Sequence, residues 1–135
     1  MANTNFIIAF YTMNEDDAGT DAQIWMTLQR KGGVESQSIK LTKGLGKGAF
    51  EPNTVNILYY HHLDLGDSKM PLDKIQMVVK NPSNTENPNW KCGKVDISEI
   101  IEGTGDAYTS RTYEATYELW LEPGKYHTKS LRQLS

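Results

Sequence analysis

Asp16, Asp17 and Asp21, with Gly19 and Thr20 between them, gather carboxylates and a flexible turn into one short stretch. Calcium takes about six to eight oxygen ligands from carboxylates, backbone carbonyls and side-chain amides. Three aspartates supply charge, Gly19 can adopt the positive φ that turns a carbonyl inward, and Thr20 adds a carbonyl or hydroxyl oxygen. The same residue types also close turns on their own backbone, so a purely structural turn is the alternative.

Two other groups have the raw material for chemistry. His61-His62-Leu63-Asp64, with Asp67 beyond, offers imidazole and carboxylate for zinc or for a catalytic base. Neighbours on a strand point to opposite faces, so His61 and His62 do not share an ion easily and read better as polar strand-end residues before a turn. Cys92, the only cysteine, sits in Trp90-Lys91-Cys92-Gly93 and reads as a small packing residue. It cannot form an internal disulfide, which agrees with a reducing compartment. No serine or cysteine is set beside a base and an orienting acid. Gly44-Leu45-Gly46-Lys47-Gly48 is too short for a phosphate loop and precedes no helix. The expectation is a protein that binds and does not catalyse.

The elements that must position these residues show period-2 alternation. Ala22, Ile24, Met26 and Leu28 share one face, and Gln23, Trp25, Thr27 and Gln29 the other. Val55, Ile57 and Tyr59 alternate likewise, as do Ile75, Met77 and Val79, and then Tyr113, Ala115, Tyr117, Leu119 and Leu121. Turn signals at Lys31-Gly32-Gly33, Gly44 to Gly48, Gly66-Asp67-Ser68, Asn81 to Pro88 and Glu102 to Asp106 separate the strands. The pattern predicts an all-β fold, an antiparallel sandwich or barrel. Only Ile97 to Ile101 suggests a helical turn, and the tail from Pro123 reads as a solvated end. Phe50 is expected in the core.

A length of 135 residues suits one domain, 1–135, with a core of about 4–122 and a tail of 123–135. A net charge of -3 argues against a nucleic-acid partner, which would need clustered Lys and Arg. Phe6 to Phe10 is too short for a signal-peptide core and no run approaches the 20 or so apolar residues that span a bilayer. A cytoplasmic or peripheral membrane location is expected.

These pieces, in this order, resemble the PLAT or lipoxygenase-homology domain found in lipoxygenases, lipases and the clostridial phospholipase C toxin. The likeness runs from Phe6–Thr12 into Ala18-Gly19-Thr20-Asp21-Ala22, through Phe50 and Thr54-Val55-Asn56-Ile57. It continues through Asp64-Leu65-Gly66, Asn87-Pro88-Asn89-Trp90 and Lys94-Val95-Asp96-Ile97 to Leu119-Trp120-Leu121. The resemblance implies a β-sandwich of two four-stranded sheets. It also implies that the loop after the Ile75 strand meets the acidic loop, so that Asn81, Asn84, Glu86 or Asn87 joins Asp17, Gly19, Thr20 and Asp21 around calcium. The chain departs from the pattern in carrying Lys80 before Asn81, where the family often has an acidic residue.

Strand parity leaves Trp25, Leu58, Tyr60 and Val78 on outer sheet faces, where exposed aromatics usually mean a partner. The alternatives are cover by long side chains or a loop, or a central strand buried on both faces. Loop tips at Gly44-Leu45-Gly46-Lys47 and Lys69-Met70-Pro71-Leu72 mix apolar residues with lysine, which suits an interface, although ordinary surface chemistry explains either alone. Together with the resemblance, Trp25, Leu45, Leu58, Tyr60, Met70 and Leu72 become the expected contacts to a lipid surface or a lipid-associated protein. The second expectation is an assembly subunit that docks a partner, or itself as a homo-oligomer, through Trp25, Tyr60 and the surrounding sheet face without lipid.

Overall fold

The computed structural model describes residues 4–14, 20, 22–41, 51–60, 63, 65, 70–81, 89–102 and 108–135. Nine strands appear among them: β1 (Thr4–Thr12), β2 (Gln23–Arg30), β3 (Ile39–Lys40), β4 (Val55–Tyr60), β5 (Leu72–Lys80), β6 (Trp90–Glu102), β7 (Tyr108–Leu121), β8 (Tyr126–Ser130) and β9 (Arg132–Gln133). They form two sheets, one ordered β4-β1-β6-β7-β9 and the other β3-β2-β5-β8, and every strand pairing is antiparallel. The expected sandwich is present. One sheet has five strands where four were expected, because Arg132 and Gln133 pair with Glu114 and Tyr113 as the short β9.

Alternation places the core. On β2, Ile24, Met26 and Leu28 are buried and the intervening residues are half-buried. They face Phe6, Ile8 and Phe10 of β1 and Val95 and Ile97 of β6 across the layer, with Trp90, Tyr113, Ala115 and Tyr117 completing it. Hydrogen bonds satisfy the polar atoms that Trp90 and Tyr117 carry inward. Trp90 Nε1 donates to Thr12 Oγ1 at 2.9 Å, and the Tyr117 hydroxyl donates to the Ile75 carbonyl at 3.1 Å. Burial pushes the Cys92 thiol well above its usual range, as fits a packing residue.

Four expectations are corrected. Ile97 to Ile101 is extended and continues β6, because Val95, Ile97, Glu99 and Ile101 alternate inward against β1 and β7. The segment from Pro123 is solvated yet paired: β8 adds an edge to β5, and the Gly124 N–H bonds the Val79 carbonyl at 2.9 Å. On β4 the parity is the reverse of that expected, so Val55, Ile57 and Tyr59 face solvent, while Leu58 is buried and Tyr60 packs against the core. Val78 lies on an outer face but is buried, since the register places it between Trp25 on β2 and Tyr126 on β8. Phe50 lies outside the described residues.

Candidate functional site

The acidic loop and the loop after β5 share both anchor points. In one sheet, β1 ends at Thr12 beside the start of β6, where the Met13 N–H donates to the Lys91 carbonyl at 3.1 Å. In the other, Gln23 at the start of β2 is the register partner of Lys80 at the end of β5. Segment 13–22 therefore leaves one sheet and enters the other next to the two strands that segment 81–89 connects. One end of the sandwich collects both.

Of the expected metal ligands, two are described. Thr20 is buried and its hydroxyl accepts the Ala22 N–H at 3.0 Å, so this oxygen serves the turn. Asn81 is half-buried just past β5. Asp17, Gly19, Asp21, Asn84, Glu86 and Asn87 lie outside the described residues, as do Asp16, His61, His62, Asp64 and Asp67. Among the described residues no group of three or more His, Cys, Asp and Glu could hold a metal. By sequence, the two segments anchored at this end carry oxygen side chains, the donor type a hard cation takes. Lys80 does not oppose it from within the seam: its Nζ sits 4.6 Å from the Trp25 ring centroid, on the outer face of the sheet.

Among the described residues, that contact is one of three of its kind at this end. Lys94 Nζ lies 4.6 Å from the Tyr11 ring centroid and Lys91 Nζ 5.7 Å from that of Trp120. Tyr11 and Lys94 are register partners on the outer face of the larger sheet, as are Lys91 and Trp120. Trp25 and Lys80 occupy the outer face of the smaller sheet, with Tyr126 exposed at the same level on β8. Both outer faces thus carry an aromatic ring with a lysine over it, close to the acidic-loop end. A lysine over an aromatic face gains about 0.5–1 kcal/mol at exposed sites, and the pair presents an apolar body with a cationic head.

The remaining expected contacts do not join this rim. Met70 is exposed, but it precedes β5, whose first residue Leu72 is paired with Arg30 at the opposite end of β2. Nine residues of β5 put that end roughly 27 Å from Lys80. Leu72 and Leu58 are buried in the core, and Tyr60 is half-buried with its ring packed against the core. Leu45 lies outside the described residues, in a segment that leaves the smaller sheet at Leu41, beside Ile24 at the acidic-loop end.

Sequence reasoning passed over the polar cluster at the opposite end. Arg30 and Glu99 are both buried, and their Nη2 and Oε2 atoms lie 2.7 Å apart. Arg30 also donates to the carbonyls of Leu65 at 3.0 Å and Met70 at 2.8 Å. The Tyr113 hydroxyl donates to Glu99 at 3.0 Å and accepts the Leu72 N–H at 3.1 Å, while Arg111 reaches Glu99 at 3.5 Å. The signal was available: Arg30 extends the inward series Ala22, Ile24, Met26, Leu28, and Glu99 stands between Ile97 and Ile101. Two charges on facing inner surfaces must pair.

No family model matches the chain, and no curated protein matches it in sequence. Solved structures do. A calcium-dependent 11R-lipoxygenase is 23% identical, with a TM-score of 0.70, over 95% of this chain and 17% of its own. The coral 8R-lipoxygenase, in which a C2-like domain mediates calcium activation, is 21% identical with a TM-score of 0.68 over 94% and 17%. Alpha toxin from Clostridium absonum is 18% identical with a TM-score of 0.66 over 94% and 31%. The chain spans less than a fifth of these lipoxygenases and about a third of the toxin. The shared feature is the PLAT/C2-like β-sandwich.

Proposed function

We propose that this chain is a non-catalytic targeting module that docks its acidic-loop end onto a lipid surface or a lipid-associated protein, with calcium as modulator. The observation that carries this is the set of lysine–aromatic pairs Lys80–Trp25, Lys94–Tyr11 and Lys91–Trp120 placed around the end where the two oxygen-rich loops are anchored. Aromatic rings settle at the boundary between hydrocarbon and water, and lysines beside them favour anionic headgroups. The calcium dependence of the two lipoxygenases of like fold supports the same reading.

Asp17, Asp21 and oxygen atoms of Gly19 and Thr20, with Asn81, Asn84, Glu86 or Asn87, would hold the ion. Bound there, calcium supplies positive charge that offsets clustered carboxylates. The carboxylates otherwise repel an anionic surface, and the lysines alone must overcome that repulsion. Trp25, Trp120 and Tyr126 then contribute apolar area, and the two sheets keep them in register on opposite faces.

Co-sedimentation with phosphatidylserine-containing vesicles tests this over a calcium titration. Wild type pellets more as calcium rises, and Asp21→Asn loses that rise. A calcium titration in which the two proteins behave identically, or no pelleting by wild type at any calcium level, rejects the reading.

A further inference from the structure

The two outer faces of the sandwich differ in charge. At the centre of the larger sheet, Asp96 and Glu114 are register partners, with Lys94 and Arg132 paired to them. On the smaller sheet, the three outward rows next to the acidic-loop end hold no carboxylate among the described residues. Lys80 stands beside Gln23, then Lys40, Trp25, Val78 and Tyr126 form one row across all four strands, and Gln76 and Thr128 belong to the next. Glu35, opposite Gln29, and Asp73, before Lys74, lie at the Arg30 end, and Glu122, in the turn before β8, is tied to Lys125 at 2.6 Å. An anion is therefore opposed on one face and met by lysine on the other.

The aromatic row suits a flat ring with a polar rim. Val78 is buried between Trp25 and Tyr126, and Tyr126 is 62% exposed. Polar groups flank the row on both sides: Gln23 Oε1 accepts the Trp25 Nε1–H at 3.1 Å, and Gln76 Nε2 donates to Thr128 Oγ1 at 3.2 Å. A hexose is the complement of this pattern. Its C–H face is apolar and packs on an aromatic ring, while its hydroxyls bond amides and hydroxyls at the edge. Lys80 Nζ, 4.6 Å from the Trp25 ring centroid, adds a cation beside the row.

The height of the row matters as well. Trp25 and Val78 lie two residues in from Gln23 and Lys80, about 7 Å along the strands. The polar layer of one leaflet is about 5–8 Å deep. A sandwich that lands on its acidic-loop end thus brings this row level with the headgroups. We infer that the outer face of the smaller sheet selects anionic glycolipids: Tyr126 stacks on the headgroup sugar, Gln76 and Thr128 bond its hydroxyls, and Lys80, with Lys40 behind it, meets its sulfate or carboxylate. The inference rests on the docking proposed above and adds the class of headgroup.

Co-sedimentation at saturating calcium tests it with phosphatidylcholine vesicles carrying phosphatidylserine, sulfated galactosylceramide or neutral galactosylceramide, the two anionic kinds at equal charge. Wild type half-pellets at roughly fivefold lower lipid concentration on the sulfated glycolipid than on phosphatidylserine, as one or two added hydrogen bonds would give, and binds the neutral glycolipid more weakly than the sulfated one. Gln76→Val and Thr128→Val remove the polar groups and keep good strand formers. Each brings the two anionic vesicles close to equal while its binding to phosphatidylserine stays as in wild type, with circular dichroism confirming the fold. Should either fail to fold, Thr128→Ala on the exposed edge strand takes its place. Equal wild-type affinity for the two anionic vesicles, equal affinity for sulfated and neutral glycolipid, or a preference that survives both substitutions overturns the inference. In each of these cases calcium-dependent pelleting on phosphatidylserine would leave the docking itself standing, whereas no pelleting on any vesicle rejects both.

Discussion

The two ends of this sandwich use charge in opposite ways. At the acidic-loop end, lysines lie on outer faces against aromatic rings, where water still reaches them. At the other, Arg30 and Glu99 are withdrawn from water and tie both sheets to the carbonyls of Leu65 and Met70. A surface charge costs little to keep, whereas a buried pair resists loss of either member. The proposed docking end thus carries its charge where water reaches it, and the other end uses charge to hold the layers together.

The contrast breaks most severely at Glu99. Glu99→Ala leaves Arg30 buried without its counter-ion, and losses of about 3–5 kcal/mol are usual for that change. A fall in thermal midpoint on the order of 10 °C, followed by calorimetry, is expected. A midpoint within a degree or so of wild type would show that the pair is not essential to the clamp. Next comes Trp25→Ala, which removes an interfacial ring worth about 1.5–3 kcal/mol and weakens vesicle binding by about tenfold or more. Its midpoint should move far less than that of Glu99→Ala, and the reverse ordering would merge the roles of the two ends.

Lys80→Gln is expected to be milder, about fivefold weaker on anionic vesicles, since each lysine near such a surface contributes about 1 kcal/mol. Repeating the measurement at high salt should abolish the difference between mutant and wild type. The smallest effect concerns Tyr60, whose buried hydroxyl has no hydrogen-bond partner among the described residues and is pushed up to about 12 by desolvation. The folded protein retains a proton that the unfolded chain releases above pH 10, so this contribution to stability is complete below pH 10 and declines as pH rises toward 12. Denaturant midpoints for Tyr60→Phe should fall less steeply over that interval, with Tyr113 and Tyr117, raised chiefly by burial, retaining part of the slope.

Alternation in β2, β5 and β7 was legible because each strand buries one side against a single opposing layer. β4 misled because every position from Val55 to Tyr60 except Asn56 is apolar or aromatic, so composition assigns no inner face. Ladder partners decided it, and those are long-range. Ile97 to Ile101 resembled a helical turn because Ser98 and Glu99 interrupt the apolar run, and Glu99 is buried only because Arg30 arrives from the other sheet. The tail was misread for a related reason. Its alternation of Tyr126, Thr128 and Ser130 with His127 and Lys129 lacks an apolar face, and pairing with β5 supplies its order. For the candidate site, sequence indicated the chemistry of the loops, and the anchors at Thr12, Lys91, Gln23 and Lys80 show that both belong to one end. The lysine–aromatic pairs escaped notice because they join residues far apart in the chain.

The direction in which the chain enters and leaves has a practical consequence. Thr4 opens β1 beside Ile101, and the Thr112 carbonyl receives the Leu134 N–H at 2.7 Å, so the start of β1 and the last described residues lie at the Arg30–Glu99 end. A fluorophore, affinity handle or fused protein attached to either terminus would trail behind the module as it lands. The opposite tip would stay clear, and the same geometry would let a tethered cargo hang into solution from a docked sandwich.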